Sequence, residues 1–219
     1  MMETIERVFS PDNLSFLLNG LKQTLLISLS VIIGSIIFGT ILGLLRQYRL
    51  VVLTQLASIY IEIFRNTPLL LWMLGCAFLI PGSTVTVKGA FALFLYTSAI
   101  IAEIVRGGLN AIDKGQFEAA YSQGFSFIQT LLYIVLPQCF KRIVPSLLSQ
   151  VITTVKDTSF LAGLGIMELT RSGQVILGRA TQTTEVFLLY GFIGLTYFVV
   201  CFSLSLAVRY WHKKNTIVQ

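Results

Sequence analysis

The chain has 219 residues, 55% of them hydrophobic and only 12% charged, about half the charged share of a soluble domain, which places it in a bilayer. Its net charge of +6 comes from dispersed basic residues without a patch of interleaved aromatics, which argues against a nucleic-acid surface. Three cysteines (Cys76, Cys139, Cys201) in or beside apolar stretches and a single histidine, His212, in a basic tail make no disulfide framework, metal-ligand set or histidine-based triad.

Residues 1–22 carry Glu3, Glu6, Arg7, Asp12 and Lys22 and read as a short amphipathic or irregular lead-in, without a cleavable signal. The first helix is expected over 23–45, an uncharged run of 23 residues that spans ~34 Å as helix against a ~30 Å hydrocarbon core. Its Gly39 and Gly43 form a G-x-x-x-G pair, expected to serve packing within the chain rather than a dimer seam. The basic turn Arg46-Gln47-Tyr48-Arg49 follows.

A second helix over 52–80 is interrupted at Arg65-Asn66-Thr67-Pro68, because proline lacks an amide donor and frees a carbonyl upstream. Glu62 and Arg65, three apart, share one face; a polar site at the break and a plain proline kink with a neutralised pair both fit that spacing. Pro81-Gly82-Ser83 makes a turn. The third helix, 88–109, holds Glu103 after fourteen uncharged residues, with Arg106 one turn on. A charge at that depth costs ~2.5–3.5 kcal/mol and faces protein or a water-filled path.

Residues 110–142 are too many for a turn and too polar to span, so short surface helices are expected there. Glu118-Ala119-Ala120-Tyr121-Ser122-Gln123 begins with good helix formers and runs into Gly124, a residue that stops or turns a helix; a second short stretch, Phe125 to Leu136, is expected to end at Pro137. The fourth helix, 143–157, places Ser146, Gln150, Thr153 and Asp157 on one face. That face is expected to look inward toward a cavity, or else to hold a set of satisfied interhelical hydrogen bonds. Lys156-Asp157-Thr158-Ser159, followed by Gly163 and Gly165, reads as a helix ending inside the protein, where transporters bind polar solutes. A mixed segment with Glu168 and Arg171 leads to a fifth helix from about Glu185 to 209, then a basic tail, 210–219. Counting basic residues on the two sides puts the N-terminus outside and both 110–142 and the C-terminus in the cytoplasm.

Glu118-Ala119-Ala120, three residues, Gly124, nine residues, Ile134-Val135-Leu136-Pro137 resembles the E-A-A loop of ABC importer permeases at every fixed position. Phe64-Arg65-Asn66-Thr67-Pro68, Ala102-Glu103-Ile104-Val105-Arg106-Gly107-Gly108 and Lys156-Asp157-Thr158-Ser159 narrow the resemblance to the polar amino acid permeases of the histidine/glutamine/arginine type, from about residue 15 onward. Two departures stand out: Asn66 where glycine is commoner, and Phe160 where leucine is usual. The resemblance implies an all-α integral membrane protein of the type I ABC importer permease kind, with five transmembrane helices in a permease domain over 23–209 and cytoplasmic coupling helices in 110–142. It gives Glu118, Ala119, Ala120 and Gly124 the role of docking on an ATP-binding subunit. Positions near Asn66, Thr67, Glu103, Asp157, Thr158 and Ser159 resemble those lining the amino-acid site or gate, with Glu103 or Asp157 expected to meet the α-ammonium group and the amide and hydroxyl groups the carboxylate.

The expected function is the permease subunit of an ATP-driven importer of a polar amino acid, either cationic such as arginine, histidine or lysine, or glutamine, in a bacterial inner membrane. The chain has no G-x-x-x-x-G-K-[ST] loop, so ATP and Mg are expected on two partner ATP-binding subunits and no cofactor or metal on this chain. The other expected partners are a second permease copy or paralogue, an extracellular substrate-binding protein and membrane lipid. The alternatives are an ion-coupled secondary transporter or channel, in which Glu103 and Asp157 carry coupling or filter charges, and a membrane-embedded enzyme, for which those two carboxylates alone are a thin case.

Overall fold

The computed structural model describes residues 2–48 and 51–216, so Arg49 of the expected basic turn and residues 217–219 of the tail lie outside it. The described residues fold as α1 (Met2–Val8), α2 (Pro11–Gln47), α3 (Val51–Arg65), α4 (Leu69–Leu79), α5 (Val85–Asn110), α6 (Lys114–Ser122), α7 (Phe127–Thr130), α8 (Leu136–Asp157), α9 (Leu169–Leu177) and α10 (Thr183–Thr216). A π-turn, Leu131–Val135, joins α7 to α8, and a 3-10 segment, Thr158–Leu164, follows α8. Four stretches are long and apolar enough to cross a membrane: Pro11–Gln47, Val85–Asn110, Phe127–Leu164 and Thr183–Tyr210. The remaining expected span is the interrupted one, divided into α3 and α4 at Asn66-Thr67-Pro68.

Three boundaries differ from the sequence reading. The lead-in, expected to be amphipathic or irregular, is helical over Met2–Val8 and again from Pro11: Ser10 accepts a 3.4 Å hydrogen bond from the Asn13 amide and Pro11 takes the first helical position, a strong start signal. Helix α2 therefore runs 37 residues, about 55 Å. The hydropathy rise at Gln23 marks where an apolar environment begins, not where the helix does. The fourth span begins far ahead of residue 143, since α7, the π-turn and α8 are continuous. Pro137 does not end a helix there. It sits at the second position of α8, just behind the π-turn, whose wider bonding pattern precedes the residue that lacks an amide. Likewise α10 continues to Thr216 through most of the expected tail.

The chain divides into two compact units. The first comprises Met1–Ile32, Leu69–Leu93 and Val151–Gln219. In it α1 and α9 pack on α10, the 3-10 segment packs on α9 and α4, and Val8, Leu17, Leu169, Leu189 and Ile193 form the core. The second comprises Ile33–Pro68 and Phe94–Gln150. Its larger core joins Ile101, Val105 and Leu109 of α5 to Val135, Cys139, Ile143 and Leu147 of the π-turn and α8, and a smaller one joins Leu42, Ala57, Ile61 and Ala102. Here the G-x-x-x-G pair serves an approach within the chain. A Cβ on Gly39 would stand 2.7 Å from the Ser98 carbonyl, and one on Gly43 2.7 Å from that of Ala102, so only glycine lets α2 lie against the α5 backbone.

Candidate functional site

The segment after α5 is built by caps. Asp113 opens α6 by accepting a 2.7 Å hydrogen bond from the Gly115 amide. At the other end the Phe125 amide donates to the Ala120 carbonyl at 3.1 Å and the Gly124 amide to that of Tyr121 at 3.0 Å, the paired bonds of a Schellman cap, with Gly124 at φ +82°. Two residues on, Ser126 and Gln129 form a reciprocal capping box that starts α7. The result is a helix, a fixed glycine turn and a second helix. Glu118, Ala119 and Gly124 are exposed and Ala120 is buried, which anchors the knob while its outer face stays open. Around it Tyr121, Phe127, Ile128, Leu132 and Tyr133 are also exposed.

Also in the second unit, five charged side chains converge. Arg46 donates to Glu103 at 2.7 Å and to Glu62 at 2.6 Å. Arg106 grips Glu103 through two bonds of 3.0 Å, and Arg65 lies 3.4 Å from the same carboxylate. The expected Glu62–Arg65 pair is replaced: Glu62 pairs with Arg46, and Arg65 with Glu103. The i, i+3 rule sees neighbours on one helix and is blind to Arg46, which arrives from α2. Three guanidiniums face two carboxylates, so Glu103 is more than neutralised. The Asn66 amide donates to the Glu62 carbonyl at 2.8 Å and to its carboxylate at 3.0 Å, two bonds a glycine could not make. Thr67 turns its hydroxyl back on the Ile63 carbonyl at 2.6 Å.

In the first unit, Asp157 closes α8 half-buried, and its side chain caps nothing in the 3-10 segment. Thr158 is fully buried and donates to the Val155 carbonyl at 2.7 Å, whereas Ser159 is half-buried. The six expected solute residues therefore divide by unit, Asn66, Thr67 and Glu103 in the second and Asp157, Thr158 and Ser159 in the first. The polar face of α8 is mixed: Ser146 is exposed, Gln150 is buried and Thr153 and Asp157 are half-buried, while on the apolar side Leu147 and Val155 are buried and Leu148, Val151 and Ile152 half-buried.

Glu168 is fully buried in the first unit. It caps α9 by accepting from the Arg171 amide at 2.7 Å, and its other oxygen accepts from Tyr197 at 2.9 Å and Thr24 at 3.3 Å. Burial pushes its carboxyl above the ordinary carboxylate range, against the pull of these bonds. The sequence places Glu168 and Arg171 in a mixed segment between two spans, but Tyr197 and Thr24 lie too far along the chain for any spacing rule to add them.

Helices long and apolar enough to cross a membrane, one of them continuous with a glycine-capped knob, define the class of membrane-embedded subunits. Residues 35–216 match the family described as the binding-protein-dependent transport system inner membrane component, and the chain belongs to it. The probable glutamine ABC transporter permease protein GlnP of Bacillus subtilis (strain 168) is 40% identical over 212 residues, 95% of this chain and 97% of that protein. The glutamate/aspartate import permease protein GltK of Escherichia coli O157:H7 is 31% identical over 215 residues, 93% and 95% of the two chains. Among solved structures, that of an amino acid ABC transporter with histidines superposes with a TM-score of 0.83 at 28% identity, over 91% of this chain and 94% of that one. The inward-facing MetNI methionine ABC transporter shares the fold, with a TM-score of 0.75 at 21% identity over 92% and 98% of the chains.

Proposed function

We propose that this chain is the permease subunit of an ATP-driven importer that carries a polar amino acid across the inner membrane. The observation that carries the reading is the capped α6–Gly124–α7 knob, with Glu118 and Ala119 exposed on a buried Ala120, in a chain whose relatives are named as permeases of amino acid ABC transporters. The knob docks on one of two ATP-binding subunits, which hold ATP and Mg. A second permease copy or paralogue completes the path. A substrate-binding protein delivers the solute on the side of the N-terminus, and the knob and C-terminus are cytoplasmic.

Of the two carboxylates available for the ammonium group, Asp157 is the better assignment. Glu103 is held by three arginines, and the cluster's surplus positive charge suits a solute carboxylate instead. Asn66 and Thr67 of the second unit, and Thr158 and Ser159 of the first, are the remaining residues assigned to the path. Glutamine and glutamate/aspartate stand in the names of two relatives, which supports glutamine or an acidic amino acid as the solute.

The test is reconstitution in liposomes with the cognate ATPase and binding protein, screening all twenty amino acids for stimulated ATP hydrolysis. A polar amino acid, glutamine first, should stimulate. Uptake that proceeds without ATP would overturn the reading.

A further inference from the structure

The knob formed by α6, Gly124 and α7 is held at more than its two chain ends. It follows α5 and leads through the π-turn into α8. Gln138 of α8 donates to Gln116 of α6 at 3.0 Å, and Ala120 and Thr130 are buried. These holds belong to its neighbours in sequence. Another comes from far along the chain. The ring of Tyr48, just past the end of α2, meets that of Phe127 edge to face, with centroids 5.0 Å apart and planes at 82°, an arrangement that aromatic pairs favour. Phe127 opens α7, and the reciprocal bonds of Ser126 and Gln129 fix that start. The Tyr48 hydroxyl makes no hydrogen bond among the described residues, so the contact is the ring's alone.

The other side of the same turn of α2 is pinned as well. Arg46 lies two residues before Tyr48, about 200° round the helix, and bonds Glu103 of α5 at 2.7 Å and Glu62 of α3 at 2.6 Å. The Tyr48 amide still donates to the Leu44 carbonyl at 3.0 Å, so Tyr48 keeps to the helical path. Thr54 of α3 donates to the Leu45 carbonyl at 2.8 Å, satisfying an acceptor that a helix end leaves open. The end of α2 is thus fixed to α3 and α5, and it offers a ring to the knob. We infer that Tyr48 is a positioning residue for the docking knob. It gives the knob a second support beside the π-turn, so that the knob cannot swivel there and a displacement of its docking face is passed to α2. This rests on the reading that the knob docks on an ATP-binding subunit. Phe127 is exposed, whereas Tyr48 is half-buried against the α5–α8 core, so substitutions of Tyr48 separate bracing from docking.

The experiment measures ATP hydrolysis by the permease–ATPase complex in liposomes, with the binding protein offered L-glutamine, L-glutamate or L-arginine, and the melting temperature of the same complexes. Tyr48→Ala should lower the ratio of stimulated to basal hydrolysis by about threefold or more, the loss expected from one ring pair. Tyr48→Phe keeps the ring and should hold the wild-type ratio. Phe127→Ala should lower the ratio too, and adding Tyr48→Ala to it should cost nothing further. Leu44→Ala, one turn back on α2 and packed on the same core, should lower the melting temperature and leave the ratio alone. Tyr48→Leu, which fills the space without a ring, serves if Tyr48→Ala does not assemble. A wild-type ratio in Tyr48→Ala or Tyr48→Leu, beside an uncoupled Gly124→Asp, overturns the brace alone. So does a ratio that follows melting temperature through Leu44→Ala, or losses from Tyr48→Ala and Phe127→Ala that simply add. A wild type stimulated by none of the three amino acids, or normal coupling in Gly124→Asp, removes the underlying reading and the brace with it.

Discussion

Gly124 stands at φ +82° with nothing within 4 Å of where a Cβ would be. Its requirement is therefore backbone conformation: a β-carbon there costs roughly 1–2 kcal/mol, whereas asparagine visits that region more readily. Gly124→Asn should keep most transport-linked ATP hydrolysis, Gly124→Ala less, and Gly124→Asp, which adds a charge to the face offered to the ATPase, should uncouple transport while leaving membrane insertion intact. The measurement is stimulated against basal hydrolysis in liposomes. Normal coupling in Gly124→Asp would remove the docking role from this turn. The residue was legible because Glu118, Ala119, Ala120 and Gly124 all lie within seven positions, where spacing is geometry. Asn66 was legible as a departure but not in its effect, since its bond to the Glu62 carboxylate depends on where a side chain four residues back has been drawn by Arg46.

Among the elements, α2, α3 and α5 meet at a carboxylate that is only 15% exposed, Glu103, while its partner in the network, Glu62, is 52% exposed. These exposures divide the consequences of neutralising them. Glu103→Gln leaves three guanidiniums facing one carboxylate, a loss expected between the ~1 kcal/mol of a surface pair and the ~3–5 kcal/mol of a fully buried one. Glu62→Gln removes a solvent-screened partner and should change little. Melting of the detergent-solubilised protein distinguishes the two; equal effects would mean that exposure in the lone chain misstates the environment of Glu62. Chain order hides this network. Each sequence pair, Glu62 with Arg65 and Glu103 with Arg106, looked self-sufficient, and only the second survives as drawn, because Arg46 comes from another helix to bridge both carboxylates. The break at Asn66-Thr67-Pro68 was readable for the opposite reason, that proline acts on its own helix.

For the molecule as a whole, four of the five expected spans followed from apolar runs, because the bilayer imposes a length that composition records. Their true starts did not. Ser10 and Pro11 extend α2 through polar residues, and α8 reaches back to the knob through residues that composition marks as surface. Division into two units, with Glu103 in one and Asp157 in the other, left no trace in the sequence, since α2, α5 and α8 each pass from one unit to the other without a break.

The π-turn Leu131–Val135 between the knob and its span sets an angular phase. It accommodates about one residue more than a regular α-helix would, which is roughly 100° of rotation about the helix axis. The direction in which Glu118 and Gly124 face is thus offset from α8 by that amount, and a rotation of α8 is read at the knob with the same offset. Deleting Leu132 or Tyr133, both exposed, should let the turn relax into a regular α-helix. The helix would remain continuous, the chain would still insert, and the docking face would be turned by about a quarter of a revolution. Basal hydrolysis by the assembled ATPase without solute stimulation is the expected outcome. Full stimulation in the deletion variant would show that the knob tolerates any heading.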